Sequence, residues 1–263
     1  MRSADITFVV LTKDEARNLG DCLRSLPQGA HALVYDAFSR DDTPTLAREL
    51  GATVAQAPWA GYVAARAAAA DLVNTPWTFM LDADERVTIA LRDELEHLEA
   101  DPGTLAYSVP RRNWFCGHWI RCAGWWPDRL VRLFRTGVAQ VKPGSPASEA
   151  PIHETWHVPG AVGVLSEPLD HFSYPSVEVY RAKFSRYTQI EAQATLASVP
   201  AFVRALLLVP ARLFWLLLGR GGLSEGWRGA YVCLGSAAYP AAVKAKALAL
   251  GRKAPASTMR APR

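Results

Sequence analysis

Acidic residues almost vanish from the last quarter of this chain. Of its 25 Asp and Glu, only Glu225 lies beyond residue 195, against 10 Lys and Arg there. The net charge of +4 is therefore a −5 N-terminal part joined to a +9 tail. A basic, apolar tail suits an anionic membrane surface and speaks against nucleic acid as the partner. Cysteine is scarce as well. Cys22, Cys116, Cys122 and Cys233 form no C-x-x-C pair, which excludes zinc-type spacing and offers no disulfide framework, so a reducing compartment is expected. No Gly-x-Gly-x-x-Gly follows the first apolar stretch, which disfavours a dinucleotide-binding fingerprint. A secretory signal is also missing: the run Ile6 to Leu11 is short and meets Lys13-Asp14-Glu15 at once. The catalytic part is expected on the cytosolic side.

What is present is apolar and alternating. Half of the 263 residues are hydrophobic and 21% charged, enough for one α/β domain with an appendage. Ile6 to Leu11 reads as a buried parallel strand, being short, β-branched and continuous. A helix over residues 15–26 follows, with Leu19, Cys22, Leu23 and Leu26 on one face. Ala32 to Asp36 is a second strand, 45–50 a helix with Gly51 beyond it, Ala52 to Ala55 a third strand, and 62–73 an alanine-rich helix carrying a lone Arg66. Trp77 to Leu81 then delivers Asp82-Ala83-Asp84-Glu85. Strand–helix alternation with acids at strand ends predicts a doubly wound, mostly parallel sheet flanked by helices. Ligands of such sheets bind at the carboxyl edge, where two carboxylates can hold a divalent ion and the ion a diphosphate. A solvated turn after a strand is the plainer reading of Asp-x-Asp.

The motifs carry a resemblance. Val9 to Glu15, Val34-Tyr35-Asp36 with Asp41 and Thr43, and Leu81 to Arg86 resemble a family 2 glycosyltransferase of the GT-A fold. Pro110 to Phe115, Gly124 to Asp128, Arg132 to Arg135, Ile152-His153-Glu154 and Leu169 to Tyr174 resemble its lipopolysaccharide-core branch. Departures fall at Asp14, at Ala67 and above all at Phe38, which stands where that branch has Gly. A Phe enters positive φ at a cost, so the loop under the nucleotide is expected to be reshaped.

The resemblance implies an inverting enzyme that moves a sugar from a nucleotide-sugar, UDP-linked, to a hydroxyl of a lipid-linked glycan such as lipopolysaccharide core. It implies a divalent cofactor, Mg²⁺ or Mn²⁺. Thr12, Glu15, Asp36, Asp41, Arg66 and Asp82 would meet the donor, and Asp84, with His171 as a late ligand, the metal. Glu154 would be the base, with Asp128 the alternative. Glu85 would play a supporting part. Arg111, Arg112, Trp125, Trp126 and His153 would face the acceptor, rings stacking on sugars and guanidinium groups meeting phosphates. Plainer readings stand beside these: Glu15 and Asp41 as helix-start acids, Asp128 as a turn acid, and His171 as a packed histidine. A polyprenyl-phosphate glycosyltransferase and an inactive nucleotide-sugar-binding protein are the rival functions.

Three regions are expected: 1–174 as the GT-A domain (nucleotide-sugar half 1–100, acceptor half 101–174), 175–251 as a helical membrane-associating region, and 252–263 as a disordered tail. In residues 199–219, Arg204 and Arg212 each cost about 2.5–3.5 kcal/mol at a bilayer centre, which 12 Val, Leu and Phe at about 0.3–0.6 each barely offset. With Pro210 also interrupting it, this segment is expected to lie on the cytoplasmic face of the inner membrane rather than to span it.

Overall fold

The computed structural model describes residues 1–143 and 154–251. His153 and the expected tail 252–263 lie outside the described residues. The N-terminal half alternates as the apolar runs predict. Its elements are β1 (Ile6–Thr12), α1 (Ala16–Arg24), β2 (His31–Asp36), α2 (Thr43–Glu49), β3 (Thr53–Gln56), α3 (Tyr62–Ala70) and β4 (Trp77–Asp82). The order β3-β2-β1-β4 is parallel throughout. β1 and β4 are continuously apolar because both faces of the sheet are covered. Phe8, Val10, Phe79 and Leu81 pack towards α1 with Leu19, Cys22 and Leu23, whereas Val9 and Met80 pack on the other face with Ala69 and Val73. Phe8 and Phe79 stack at 4.8 Å between ring centroids.

The second half is mixed. After β4 come β5 (Glu85–Val87), α4 (Ile89–His97), β6 (Thr104–Phe115), β7 (His118–Trp119), β8 (Asp128–Arg135), β9 (Gln140–Pro143), β10 (Glu154–His157), β11 (Ala161–Val164) and β12 (Leu169–Tyr174). The sheet runs β3-β2-β1-β4-β8-β6-β12-β5, with β8 antiparallel to both β4 and β6. β6 is a 12-residue strand that carries Arg111, Arg112 and Asn113, polar residues that interrupt the apolar pattern. β9 and β10 form a separate hairpin, laid on the sheet through Trp156 against Phe134 at 4.5 Å.

The helical region begins with α5 (Val177–Ala194), capped by Ser176, whose hydroxyl accepts from the Val179 amide. Residues 199–219 divide into α6 (Val199–Leu207), α7 (Val209–Phe214) and a π-helical turn, Trp215–Gly219. The division falls where Pro210 needs the first turn of a new helix. α8 (Gly226–Leu250) then packs back on α5, and Lys246 donates to the Ser185 carbonyl at 2.7 Å and to Thr188 Oγ1 at 2.8 Å. A third core, with Phe115, Ile120, Cys122, Tyr180, Val232 and Cys233, joins these helices to the sheet. The stretch 199–219 is long and apolar enough to cross a membrane by length and composition, and of its residues only Ala205 and Leu216 are buried.

Candidate active site

The parallel strands end together. Asp36 lies opposite Thr12 and Gln56, and Asp82 opposite Leu11, so the acids of β2 and β4 share the carboxyl edge. Behind them sits a buried charge network. Arg132, on β8, donates to Asp82 Oδ2 at 2.7 Å and to Glu85 Oε1 at 2.6 Å. Arg66 reaches Asp82 Oδ1 at 2.7 Å from α3, whose small alanines let the helix lie close to the sheet. Glu85 is fully buried; it also accepts from Arg111 at 3.2 Å, and its other oxygen accepts from the Asp82 amide at 3.0 Å. Burial alone would raise the Asp82 carboxyl, but the charges of Arg132 and Arg66 outweigh it and hold it well below the usual range.

Beyond the turn, Asp84 faces β12. His171 Nε2 lies 3.5 Å from Asp84 Oδ1, and Lys183 Nζ of α5 lies 3.5 Å from Oδ2. Asn113 sets the imidazole. Its amide nitrogen donates to Asp128 Oδ2 at 3.1 Å and to the Trp125 carbonyl at 3.2 Å, which leaves its oxygen to accept from His171 Nδ1 at 2.6 Å. That hydrogen bond at Nδ1 fixes the ring and turns its Nε2 towards the Asp84 carboxylate. Burial would raise Asp84; the charge of a protonated His171, with Lys183, reverses this and holds the carboxyl far below the usual range.

The donor set of one carboxylate oxygen and one imidazole nitrogen suits Mn²⁺ better than the oxygen-seeking Mg²⁺, with water and phosphate oxygens left to complete the shell. Among the described residues no group of three or more His, Cys, Asp or Glu converges as an all-protein cage.

On the nucleotide side, Asp36 is fully buried. It accepts from Thr12 Oγ1 at 3.0 Å, the Ser39 amide at 2.9 Å, Gln56 Nε2 at 2.8 Å and the Ser39 hydroxyl. Those four donors fill its lone pairs, so Asp36 anchors the loop, and meeting a base ring would require one donor to give way. Asp41 accepts from the Ala16 amide at 3.1 Å, and from the Thr43 amide at 3.1 Å and hydroxyl at 2.5 Å, as a helix-start acid does. Glu15 is raised by burial, eased by the Asn18 amide, and lies within reach of the charge of Asp84. At Phe38 the loop enters the left-handed region that a glycine adopts freely. Phe38 keeps a φ of 52°, and Lys13 Nζ clasps the carbonyls of Ala37 at 2.9 Å and Phe38 at 2.6 Å. Asp14 also holds a positive φ, of 55°, and accepts from the Arg40 amide at 2.7 Å. Fixing these carbonyls and amides from both sides offsets the cost of the left-handed backbone.

The two arginines expected to face an acceptor are committed to carboxylates of the chain itself. Arg111 donates to Asp128 Oδ2 at 2.6 and 2.9 Å, and Arg112 pairs with both oxygens of Asp170 at 2.7 and 2.9 Å. Trp125 lies near Tyr174, 5.4 Å between ring centroids, while Trp126 meets Trp119 edge-on at 5.0 Å. Glu154 opens β10, with its backbone opposite Pro143. Sequence reasoning missed Lys183, Asn113 and Asp170, and quoted Arg132 without a role. A charged residue inside the apolar run Leu130 to Phe134 was a signal for Arg132, whereas Lys183 on an amphipathic helix left none.

Residues 7–147 match the family model described as glycosyl transferase family 2. The lipopolysaccharide core biosynthesis glycosyltransferase LpsC of Rhizobium meliloti (strain 1021) is 29% identical over 235 residues, 84% of this chain and 82% of LpsC. An uncharacterized glycosyltransferase of Rickettsia felis is 34% identical over 108 residues, 40% of this chain and 38% of its own length. Among solved structures, the mannosyltransferase PcManGT from Pyrobaculum calidifontis, in complex with GDP-Man and Mn²⁺, superposes with a TM-score of 0.52. That alignment spans 93% of this chain and 87% of PcManGT at 15% identity, a likeness of fold.

The network makes a stability prediction. Arg132→Met leaves Asp82 and Glu85 short of a buried partner and should cost about 3–5 kcal/mol in urea unfolding at pH 7. Because the folded value of Asp82 is depressed, its stabilisation is present above the unfolded carboxylate value and lost as pH falls through the folded one. The gap between wild type and variant should therefore narrow below about pH 4. A gap that is small at pH 7, or that does not change with pH, would show that the network does not hold the site.

Proposed function

The chain belongs to glycosyl transferase family 2, and from that premise we propose that it moves a sugar from a nucleoside-diphosphate sugar, UDP-linked, to a hydroxyl of a lipid-linked glycan such as lipopolysaccharide core, with inversion. The observation that carries this reading is the facing pair of Asp84 and His171 at the carboxyl edge, with Asn113 fixing the ring nitrogen that faces the carboxylate. The acceptor class is supported by the alignment with LpsC over 84% of this chain.

A divalent ion held by Asp84 and His171 would neutralise the diphosphate as the anomeric C–O bond breaks. Asp82, locked between Arg66 and Arg132, offers a rigid face to the donor sugar, and Thr12, Glu15, Asp36 and Asp41 shape the nucleotide side. The acceptor oxygen attacks the anomeric carbon from the opposite face, and Glu154 takes its proton. Asp128 is the weaker base. Its burial raises it, but Arg111 and the Asn113 amide bring it below the usual range, away from the value a base needs near neutrality.

The helical region would rest on the cytoplasmic face of the membrane. Leu206, Leu207, Phe214, Trp215 and Leu218 are exposed on one segment, with Arg204, Arg212 and Arg220 beside them.

Three outcomes test this. UDP should raise the melting temperature only with Mn²⁺, and the Mn²⁺-dependent shift should vanish in Asp84→Asn; an unchanged shift removes Asp84 from the metal site. Glu154→Gln should keep that shift yet lower transfer by about 10²–10⁴-fold. Retained transfer would point instead to an acceptor that arrives as an anion, such as a polyprenyl phosphate. The double substitution Leu206→Glu with Phe214→Glu should abolish flotation with anionic vesicles, and undiminished flotation would sink the membrane reading.

A further inference from the structure

A cleft of about 320 Å³ opens between the sheet and the helical region. Trp125 and Tyr174 form its sheet side, Tyr180, Phe184 and Tyr187 line it from α5, and Tyr239 closes it from α8. Its depth depends on Gly235: a Cβ there would lie 2.1 Å from the Tyr180 hydroxyl, so only glycine lets α8 approach that ring. The rings brace one another. Tyr174 and Tyr180 are 5.0 Å apart between centroids, Trp125 and Tyr174 5.4 Å, and Phe184 and Tyr239 5.5 Å with Phe184 edge-on. Glu191 accepts from the Tyr239 hydroxyl at 2.8 Å and fixes that wall.

The cleft abuts the candidate active site at two points. Lys183 Nζ lies 5.4 Å from the centre of the Tyr174 ring and 3.5 Å from Asp84 Oδ2. The Trp125 carbonyl accepts from the same Asn113 amide that donates to Asp128. A molecule in the cleft therefore ends one residue away from both Asp84 and Asp128.

We propose that this cleft is an acceptor subsite that takes a neutral pyranose ring, the sugar next to the one that receives the transferred group. This rests on the glycosyltransferase reading above. Three features select the occupant. The walls are aromatic faces edged with hydroxyl groups, from four tyrosines and Ser236; a pyranose likewise has apolar C–H faces and hydroxyl edges, and amphipathic rings such as tyrosine suit ligands with one apolar and one polar aspect. Among the described residues no charged side chain lines the cleft, and Lys183 at its edge is paired with Asp84, so a phosphorylated or uronic sugar would be desolvated without a partner there. Among the described residues no Leu, Ile or Val lines it either, whereas the 199–219 segment exposes Leu206, Leu207 and Leu218, so an acyl or prenyl chain finds an aliphatic match outside the cleft. The subsite joins the catalytic sheet to the helices that would lie on the membrane, which is where a glycan rooted in lipid has to pass.

Saturation-transfer NMR on the full chain tests this with methyl glucopyranosides and galactopyranosides, methyl glucuronide and 1-hexanol. The methyl hexopyranosides should give signals, with the glucuronide and hexanol at least 5-fold weaker. Ser236→Phe, which fills the cleft, should remove the hexopyranoside signals while the circular dichroism melting profile stays cooperative. Hexanol or glucuronide binding as well as the neutral sugars, or hexopyranoside signals that survive Ser236→Phe, overturns the proposal. If Ser236→Phe does not fold, the ligand panel on the wild-type chain decides alone. Binding of neutral pyranosides by a chain that turns over no nucleotide-sugar would sink the transferase reading and leave the cleft's ligand class standing.

Discussion

A guanidinium sealed inside the sheet, Arg132 between Asp82 and Glu85, is the contact on which the candidate site depends. Taking such charges out of water costs several kcal/mol per ion, and only close geometry with further hydrogen bonds offsets that. The geometry is close and both carboxylates are fully paired, while Arg132 Nε finds no hydrogen-bond partner among the described residues. Glu85 accepts from two arginines and from the Asp82 amide, and Asp82 accepts from Arg66 and Arg132 on separate oxygens. An apolar cluster of the same volume could be as stable. It could not fix the direction of the turn from Asp82 to Glu85, and that turn aims Asp84 at β12. The Phe172 amide, donating to the Asp84 carbonyl at 2.8 Å, secures the turn from the opposite side.

The parts legible in the sequence follow from this architecture. A parallel sheet covered on both faces needs unbroken apolar strands, so β1, β2 and β4 stood out, and acids at their ends marked the carboxyl edge. In the second half only Leu130 to Phe134 read as a strand, because charges lie inside the others. Arg111, Arg112 and Asn113 on β6 and Arg132 on β8 break the apolar period, yet each is matched by a carboxylate or a histidine from another strand. Those matches come from chain segments tens of residues apart, and no local pattern encodes them. Phe38 shows what residue type alone does not convey: the clasp by Lys13 and the hydrogen bonds to Asp36 hold a backbone that a glycine would adopt freely.

The tail's charge gains meaning once Glu225 is placed. It is the single acid beyond residue 195, and it is buried against His118 at 2.6 Å, with Arg121 at 3.7 Å. Its charge serves to dock the helical region on the segment that follows β6. The outward surface of 199–251 is thus left basic and apolar, the combination that an anionic interface attracts.

Asn113 then ties the two ends of the site together. One amide orients His171 towards Asp84, holds Asp128, and grips the backbone at Trp125. A side chain with all these partners cannot rotate to suit one without breaking another. The separation between the His171 nitrogen that faces Asp84 and the aromatic mouth of the cleft is thereby set by a single rigid group on β6. The long strand that sequence reasoning did not resolve is the ruler along which the carboxyl edge and the cleft are spaced.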